Sequence, residues 1–213
     1  MKKRAAFLIG IGCALLAASA SLAVNNQFES VKAAKSAEVL AEAFVSRTTA
    51  VFETSVTDTA DEPVLEAIAD NETLGASEQA PAKKLVVIDG QEFIGLLSIP
   101  SLGVSLPVNN DISYPLLKTA PCRYSGDADS LIIAAHNYNS HFGRIGGLNP
   151  GDRVNFTRAD GQTEAYTVTA VLTMPGDAVD EMLNPEGWDL TLFTCTYSGT
   201  ERITVRCVKE DRV

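Results

Sequence analysis

Apolar residues run almost without interruption from Ala5 to Val24, thin out through residue 83, and from Lys84 onward recur in short runs separated by turn residues. The first run carries no charge and, at about 1.5 Å per residue, makes a helix about 30 Å long, enough to cross a bilayer. Lys2, Lys3 and Arg4 precede it, so the basic end is expected to stay inside and the rest to be exported. Ala18-Ser19-Ala20 fits a small-residue cleavage site, but the run exceeds the roughly 7–15 residues of a signal-peptide core, so a retained signal-anchor is expected. Cys13 lies inside the run, and Gly10-Ile11-Gly12 before it makes a poor lipidation site.

Between residues 25 and 83 the pattern changes twice. Gln27 to Arg47 carries Phe28, Val31, Val39, Leu40, Ala43 and Phe44 at mixed helical spacings, which predicts a juxtamembrane helix. Glu53 to Glu78 then holds eight acidic residues and no Lys or Arg, with few large apolar side chains to repay the entropy of ordering. A flexible spacer is expected there, with at most a short helix at Val64–Ile68.

From Lys84 the pattern is that of strands: Leu85–Asp89, Phe93–Ile99, Val104–Val108, Leu116–Thr119, Ser130–Ala135, Arg153–Thr157, Gln162–Leu172, Leu190–Cys195 and Arg202–Val208. Asp89-Gly90, Asn109-Asn110-Asp111, Ser125-Gly126-Asp127, Asn149-Pro150-Gly151-Asp152 and Asp160-Gly161 supply turns between them. Eight or nine short strands at this spacing predict an all-β domain, a closed or nearly closed barrel. Only Phe142–Leu148 and Ala178–Leu183 are candidate helices. The expected division is therefore 1–24 basic start and membrane anchor, 25–83 juxtamembrane helix and acidic linker, and 84–213 barrel domain.

Charge sharpens this division. The net charge of −10 is spread as +3 over residues 1–24, −7 over 25–83 and −6 over 84–213. A domain so acidic is a poor binder of nucleic acid, which needs many cationic phosphate contacts.

The candidate chemistry lies in the last hairpin. Thr191-Leu192-Phe193-Thr194-Cys195 ends one strand, Thr196 to Glu201 is turn chemistry, and Arg202-Ile203-Thr204-Val205-Arg206 begins the next. Cys195 and Arg202 are thereby set side by side at one rim, where a fixed positive charge favours a thiolate and offers donors to an oxyanion. His136 follows the buried-strand pattern Leu131 to Ala135 and reaches the rim as a candidate base. Arg206 lies about 13 Å further along its strand and is expected to be a charged surface or ion-paired residue. His141 is expected to be an exposed loop residue beside Phe142. Cys195 and Cys207 sit at opposite ends of the hairpin, too far apart for a disulfide or for a zinc site with Cys122 and His136. Cys122 and Cys207 are expected to be free or structural, with a bridge between them left open.

These residues resemble the sortases, membrane-anchored cysteine transpeptidases of Gram-positive surfaces. The resemblance rests on Thr191-Leu192-Phe193-Thr194-Cys195, on Arg202 heading the following strand, and on His136 after Ile133-Ala134-Ala135. It extends to Ile94-Gly95-Leu96-Leu97-Ser98-Ile99-Pro100 and Leu106-Pro107-Val108, and so covers about residues 90 to 208. It implies a closed eight-stranded sortase-like barrel with one or two short helices, held at the cell membrane by a single pass with the catalytic domain outside. It further implies Cys195 as nucleophile, His136 as acid and base, Arg202 as support for oxyanion or substrate, and Thr194 as part of the substrate or oxyanion side. The implied reaction cleaves a Leu-Pro-x-Thr-Gly-like sorting signal of a surface protein through a thioester and passes the acyl group to a cell-wall amine.

The alternatives are a pilin-polymerising sortase, whose acceptor is a pilin amine, and a non-catalytic barrel that binds wall peptides. The 18 residues from Leu172 to Asp189 are short for the helical insertion of class B, and neither an Asp-Pro-aromatic lid before the barrel nor an apolar run after Val208, both expected in many pilin polymerases, is found. No cofactor or resident metal is expected, although Asp127, Asp129, Asp177, Asp180 and Glu181 could converge on calcium.

Overall fold

Nine strands and three α-helices are present among the residues described by the computed structural model, 2–56, 84–127, 129–184 and 186–210. In chain order they are α1 (Lys2–Val56), β1 (Val86–Ile88), β2 (Gln91–Ile99), β3 (Val104–Asn109), α2 (Tyr114–Leu117), β4 (Cys122–Ser125), β5 (Leu131–Ala134), β6 (Arg153–Arg158), β7 (Thr163–Pro175), α3 (Val179–Leu183), β8 (Leu190–Cys195) and β9 (Glu201–Lys209). The spacer expected between Glu53 and Glu78, with its short helix, falls from residue 57 on outside the described residues.

The sheet runs β1-β2-β3-β4-β5-β8-β9-β7-β6, and β6 pairs back onto β2. That last pairing closes eight strands into a barrel and leaves β1 as a flange on β2. The all-β closed barrel expected from the strand spacing is the fold observed. Two of its joints are parallel, β3 with β4 and β5 with β8, so β5 and β8 become neighbours only after the chain has travelled through β6, β7 and α3. The interior is filled by alternate residues, including Leu97, Ile99, Ile133, Leu190, Leu192, Val205 and Tyr166, all fully buried. Gly95 makes the closing seam fit: a Cβ there would lie 2.4 Å from the Phe156 ring and 2.6 Å from the Thr157 carbonyl, so any larger residue would hold β2 and β6 apart.

One expected strand is a helix. Leu116–Thr119 belongs to α2 and the turn after it, because Ser113 accepts the Leu116 N–H through its side chain and Pro115 in the first turn presets the backbone. The strand that takes its place in the barrel is β4, whose Arg123 and Ser125 hide it from a hydrophobicity reading. Ala178–Leu183 holds α3, and Phe142–Leu148 holds a single 3-10 turn at Ile145–Gly147.

Helix α1 continues unbroken from the apolar run into a segment docked on the barrel. Its docked face is Ala33, Ala37, Leu40 and Phe44, spaced four, three and four residues apart as one helical stripe requires. Leu40 and Phe44 cluster with Val86, Ile88, Phe93, Ala120 and Ala159, while Ala37 joins the main core. Arg47 reinforces the contact by donating to the Val87 carbonyl. Phe28, Val31 and Val39, three of the apolar positions that predicted the helix, face outward instead.

Candidate active site

The site is set by strand register. Leu131, Ile132, Ile133 and Ala134 of β5 stand beside Leu190, Thr191, Leu192 and Phe193 of β8 in a parallel pairing. The same offset carried two residues on places His136 beside Cys195. On the other flank β9 runs antiparallel to β8, and Arg202 is the register partner of Cys195. His136, Cys195 and Arg202 thus form one row across three adjacent chain segments, which in a sheet lie about 4.8 Å apart. Because side chains alternate along a strand, Leu190, Leu192 and Thr194 point into the barrel and Phe193 and Cys195 point out of it. Cys195 is exposed, and His136 and Arg202 are half-buried.

Each member of the row has its own supports. The backbone on which His136 follows is tied to β8 by the Ala135 N–H donating to the Phe193 carbonyl (3.2 Å) and by the Thr194 hydroxyl donating to the Ala135 carbonyl (2.8 Å). The His136 carbonyl accepts the Phe142 N–H, closing the loop that follows. Gly143 lets that loop fold tightly, since a Cβ there would sit 2.5 Å from the Asn137 carbonyl oxygen. The imidazole stacks on Tyr138, with ring centroids 4.1 Å apart and planes within 6°, and Tyr114 approaches it at 6.3 Å. Its Nδ1 accepts the Asn137 N–H (3.1 Å) and lies 3.0 Å from the Asn137 side-chain oxygen. The Arg202 Nη1 donates to the Gly199 and Glu201 carbonyls, both at 3.0 Å, which holds the guanidinium against the turn beside Cys195. Tyr138 and Asn137 were not singled out in the sequence; a ring two residues after the candidate base was the available signal.

A family model described as the sortase domain matches residues 97–210, more than half of the chain. The chain belongs to the sortase family. Members of this family are cysteine transpeptidases. No curated protein matches the chain. Among solved structures, sortase C of Clostridium perfringens with the C-terminal cell wall sorting motif is 26% identical, covering 56% of this chain and 71% of that one, with a TM-score of 0.50. Sortase C1 of Streptococcus agalactiae is also 26% identical, over 58% and 70% of the two chains, at a TM-score of 0.50. Streptococcus pneumoniae sortase C, 24% identical over 55% and 68%, shares the fold at a TM-score of 0.50.

The other cysteines of this sortase domain contrast with Cys195. Cys122 and Cys207 are buried and free, so the bridge left open between them is not formed. Burial pushes their thiols up, to about 11 and about 12, and holds them protonated and inert at neutral pH.

Two further expectations are corrected. Arg206 is not a surface residue, and among the described residues it makes no ion pair. It is buried, donating to the Thr191 hydroxyl (2.7 Å), the Met182 carbonyl (3.2 Å) and the Glu181 carbonyl, with the Trp188 ring 5.9 Å from its guanidinium carbon. It clamps the β7–β8 connection, with α3, over the outer face of β8 and β9. Desolvation lowers its pKa without threatening its charge. His141 is likewise fully buried, because α1 covers the loop that sequence alone leaves open to solvent. Among the described residues neither of its ring nitrogens has a hydrogen-bond partner. Burial, then the nearby His136, pushes its pKa down to about 4, and the Ala33 backbone of α1 opposes this without making a bond of good geometry.

Thr194 has its hydroxyl committed to Ala135 inside the barrel, so the support it gives the row passes through the backbone. No group of three or more potential metal ligands occurs among the described residues. Of the acidic residues considered for calcium, Asp129 pairs with Lys209 at 2.8 Å. Burial opposes the Lys209 charge, but hydrogen bonds to Asp129 and Glu164 outweigh it and raise the pKa.

Proposed function

We propose that Cys195, His136 and Arg202 carry a transpeptidation in which a sorting signal of the Leu-Pro-x-Thr-Gly type is cleaved and its acyl group passed to a cell-wall amine. The observation that carries this reading is the single row the three residues form across β8, β9 and the segment that continues β5. The Cys195 thiolate attacks the scissile carbonyl, Arg202 donates to the oxyanion or the substrate backbone, and His136 protonates the leaving amine. A thioester on Cys195 remains. His136, now neutral, takes a proton from the incoming amine as it attacks, the carbon–sulfur bond breaks and the thiolate is restored.

The surroundings of His136 suit both states of its ring. Neutral, with the proton on Nε2, it accepts the Asn137 N–H at Nδ1; charged, it donates from Nδ1 to the Asn137 side-chain oxygen. Tyr138 fixes the plane of the ring in either state, and Thr194 is a positioning residue. Water competes for the thioester, so a bound acceptor amine must reach it first.

The chain is tethered to the membrane by the apolar part of α1, with the barrel outside the cell. The described part of α1 contains a stretch long and apolar enough to cross a membrane. Residues 84–213 form the catalytic unit, and 25–83 form the docked helix and linker. A second reading, with a pilin subunit supplying the acceptor amine, draws on the likeness to sortase C structures, of which the Streptococcus pneumoniae enzyme is described with a pilin substrate specificity. A screen of sorting-signal peptides against wall-peptide amines and pilin subunits, read by mass spectrometry, separates the two by the product formed; no transfer to any amine would refute both.

A further inference from the structure

The unbroken helix α1 fixes how the barrel stands on the membrane. Ala5 to Val24, about 30 Å of uncharged helix, fills the hydrocarbon layer, and Asn25-Asn26-Gln27 begins the polar side. On that scale Leu22 lies about 3 Å inside the boundary and Asn26 about 3 Å outside it. These are the residues that meet the active-site rim. A cleft of ≈ 460 Å³ is lined by Leu22, Ala23 and Asn26 of α1 together with Asn137, next to His136, and Tyr197, two residues past Cys195.

The same side of the barrel is held to the next turns of the helix. The Ser140 hydroxyl donates to the Ser30 carbonyl (3.4 Å), and Glu29 is close enough to Tyr138 to add to the raising of its pKa that burial begins. The docked stripe from Ala33 to Phe44 fixes the rest. With no break in α1, the rim cannot be moved away from the end of the span without undoing these contacts or kinking the helix. Tyr197 has the chemistry of the water–lipid boundary, an apolar ring with a polar tip, and is 91% exposed. Leu22, which lines the same cleft, is exposed as well, as are Val24 and Phe28 elsewhere on the helix.

We infer that the active-site rim, and not the opposite end of β8, rests in the headgroup layer of the outer leaflet, with Tyr197 and the β8–β9 turn in contact with lipid. This rests on the reading of α1 as a membrane anchor. The reacting bond of a donor must then come within a few ångströms of the bilayer surface.

The test uses the full chain in phosphatidylcholine–phosphatidylglycerol vesicles carrying a nitroxide at the lipid headgroup. Trp188, the sole tryptophan, lies just before β8, about 20 Å back along the chain from Cys195, and reports the far end in the wild type. Tyr197→Trp adds a reporter at the rim and Leu22→Trp one at the end of the span, each read as the difference from wild type. The expected result is severalfold quenching of the reporters at 197 and 22, with Trp188 little affected. An unquenched reporter at 197 beside a quenched one at 22 overturns the placement and leaves the anchor intact. If neither is quenched, the anchor reading falls and the placement falls with it. Equal quenching of Trp188 and residue 197 also overturns the placement, because the rim would then not be the part selected by the membrane.

Discussion

His141 is expected to make the fold acid-sensitive, and replacing it with leucine should remove that sensitivity. The imidazole is fully buried under α1, with neither nitrogen paired among the described residues, and its pKa falls to about 4 in the folded protein against 6.5 when free. Tyr138 and His136 face it from its own loop, and the Ala33 backbone faces it from α1. Between the two pKa values the unfolded chain takes up a proton that the folded one does not. Stability therefore rises with pH across this window, and falls as the pH drops from about 6.5 to about 4. At about pH 5 the loss is roughly 2 kcal/mol relative to about pH 7.5, or roughly 4–8 °C in melting temperature for a chain of this size. His141→Leu keeps a similar volume, and at neutral pH it should equal or exceed the wild type because it removes an unpaired buried polar group. The assay is thermal unfolding of the full chain in detergent at both pH values, taking the wild-type shift minus the variant shift so that other titrating groups cancel. Equal shifts in the two proteins would refute the argument.

Other consequences follow from the same packing. Phe44→Ala should cost about 3–5 kcal/mol in chemical unfolding, because its side chain fills the gap between α1 and the β1–β2 flange; a loss under about 1 kcal/mol would mean that the helix is not docked in solution. Arg206→Ala should lower stability by roughly 2–4 kcal/mol by leaving the Glu181 and Met182 carbonyls without their donor. Arg202→Ala and Arg202→Lys should leave the melting temperature nearly unchanged while slowing acylation about 10²–10³-fold. Single-turnover kinetics that placed the larger rate loss at Arg206 would show the register of β9 to be misread.

How much of this was legible beforehand depended on whether the information was local. β8 was read to the residue, because its apolar, β-branched run is bounded by turn chemistry on both sides. The juxtaposition of Cys195 with Arg202 followed from a hairpin, which needs no knowledge of the rest of the chain. The His136 to Cys195 pairing crosses more than fifty residues, and composition alone could not supply it; family resemblance did. His141 and Arg206 were misjudged for one reason: each is covered by a distant segment, α1 in one case and the β7–β8 connection in the other. The docked face of α1 was half hidden as well, since two of its four residues are alanines that carry little hydrophobic signal, while Phe28 and Val31 carry much and face outward. β4 was missed because a four-residue strand with a bulge and an arginine has no readable alternation.

The central claim is that Cys195 is the nucleophile, and intact-mass measurement of the full chain after brief mixing with a sorting-signal peptide tests it most directly. Without an acceptor amine, the protein should gain the mass of the acyl fragment, the adduct should map to Cys195, and hydroxylamine should release it as expected of a thioester. Cys122 and Cys207, buried and protonated, should stay unmodified. Cys195→Ala should gain nothing while keeping the melting temperature of the wild type. An adduct on any other residue, or turnover by the folded Cys195→Ala protein, would contradict the account.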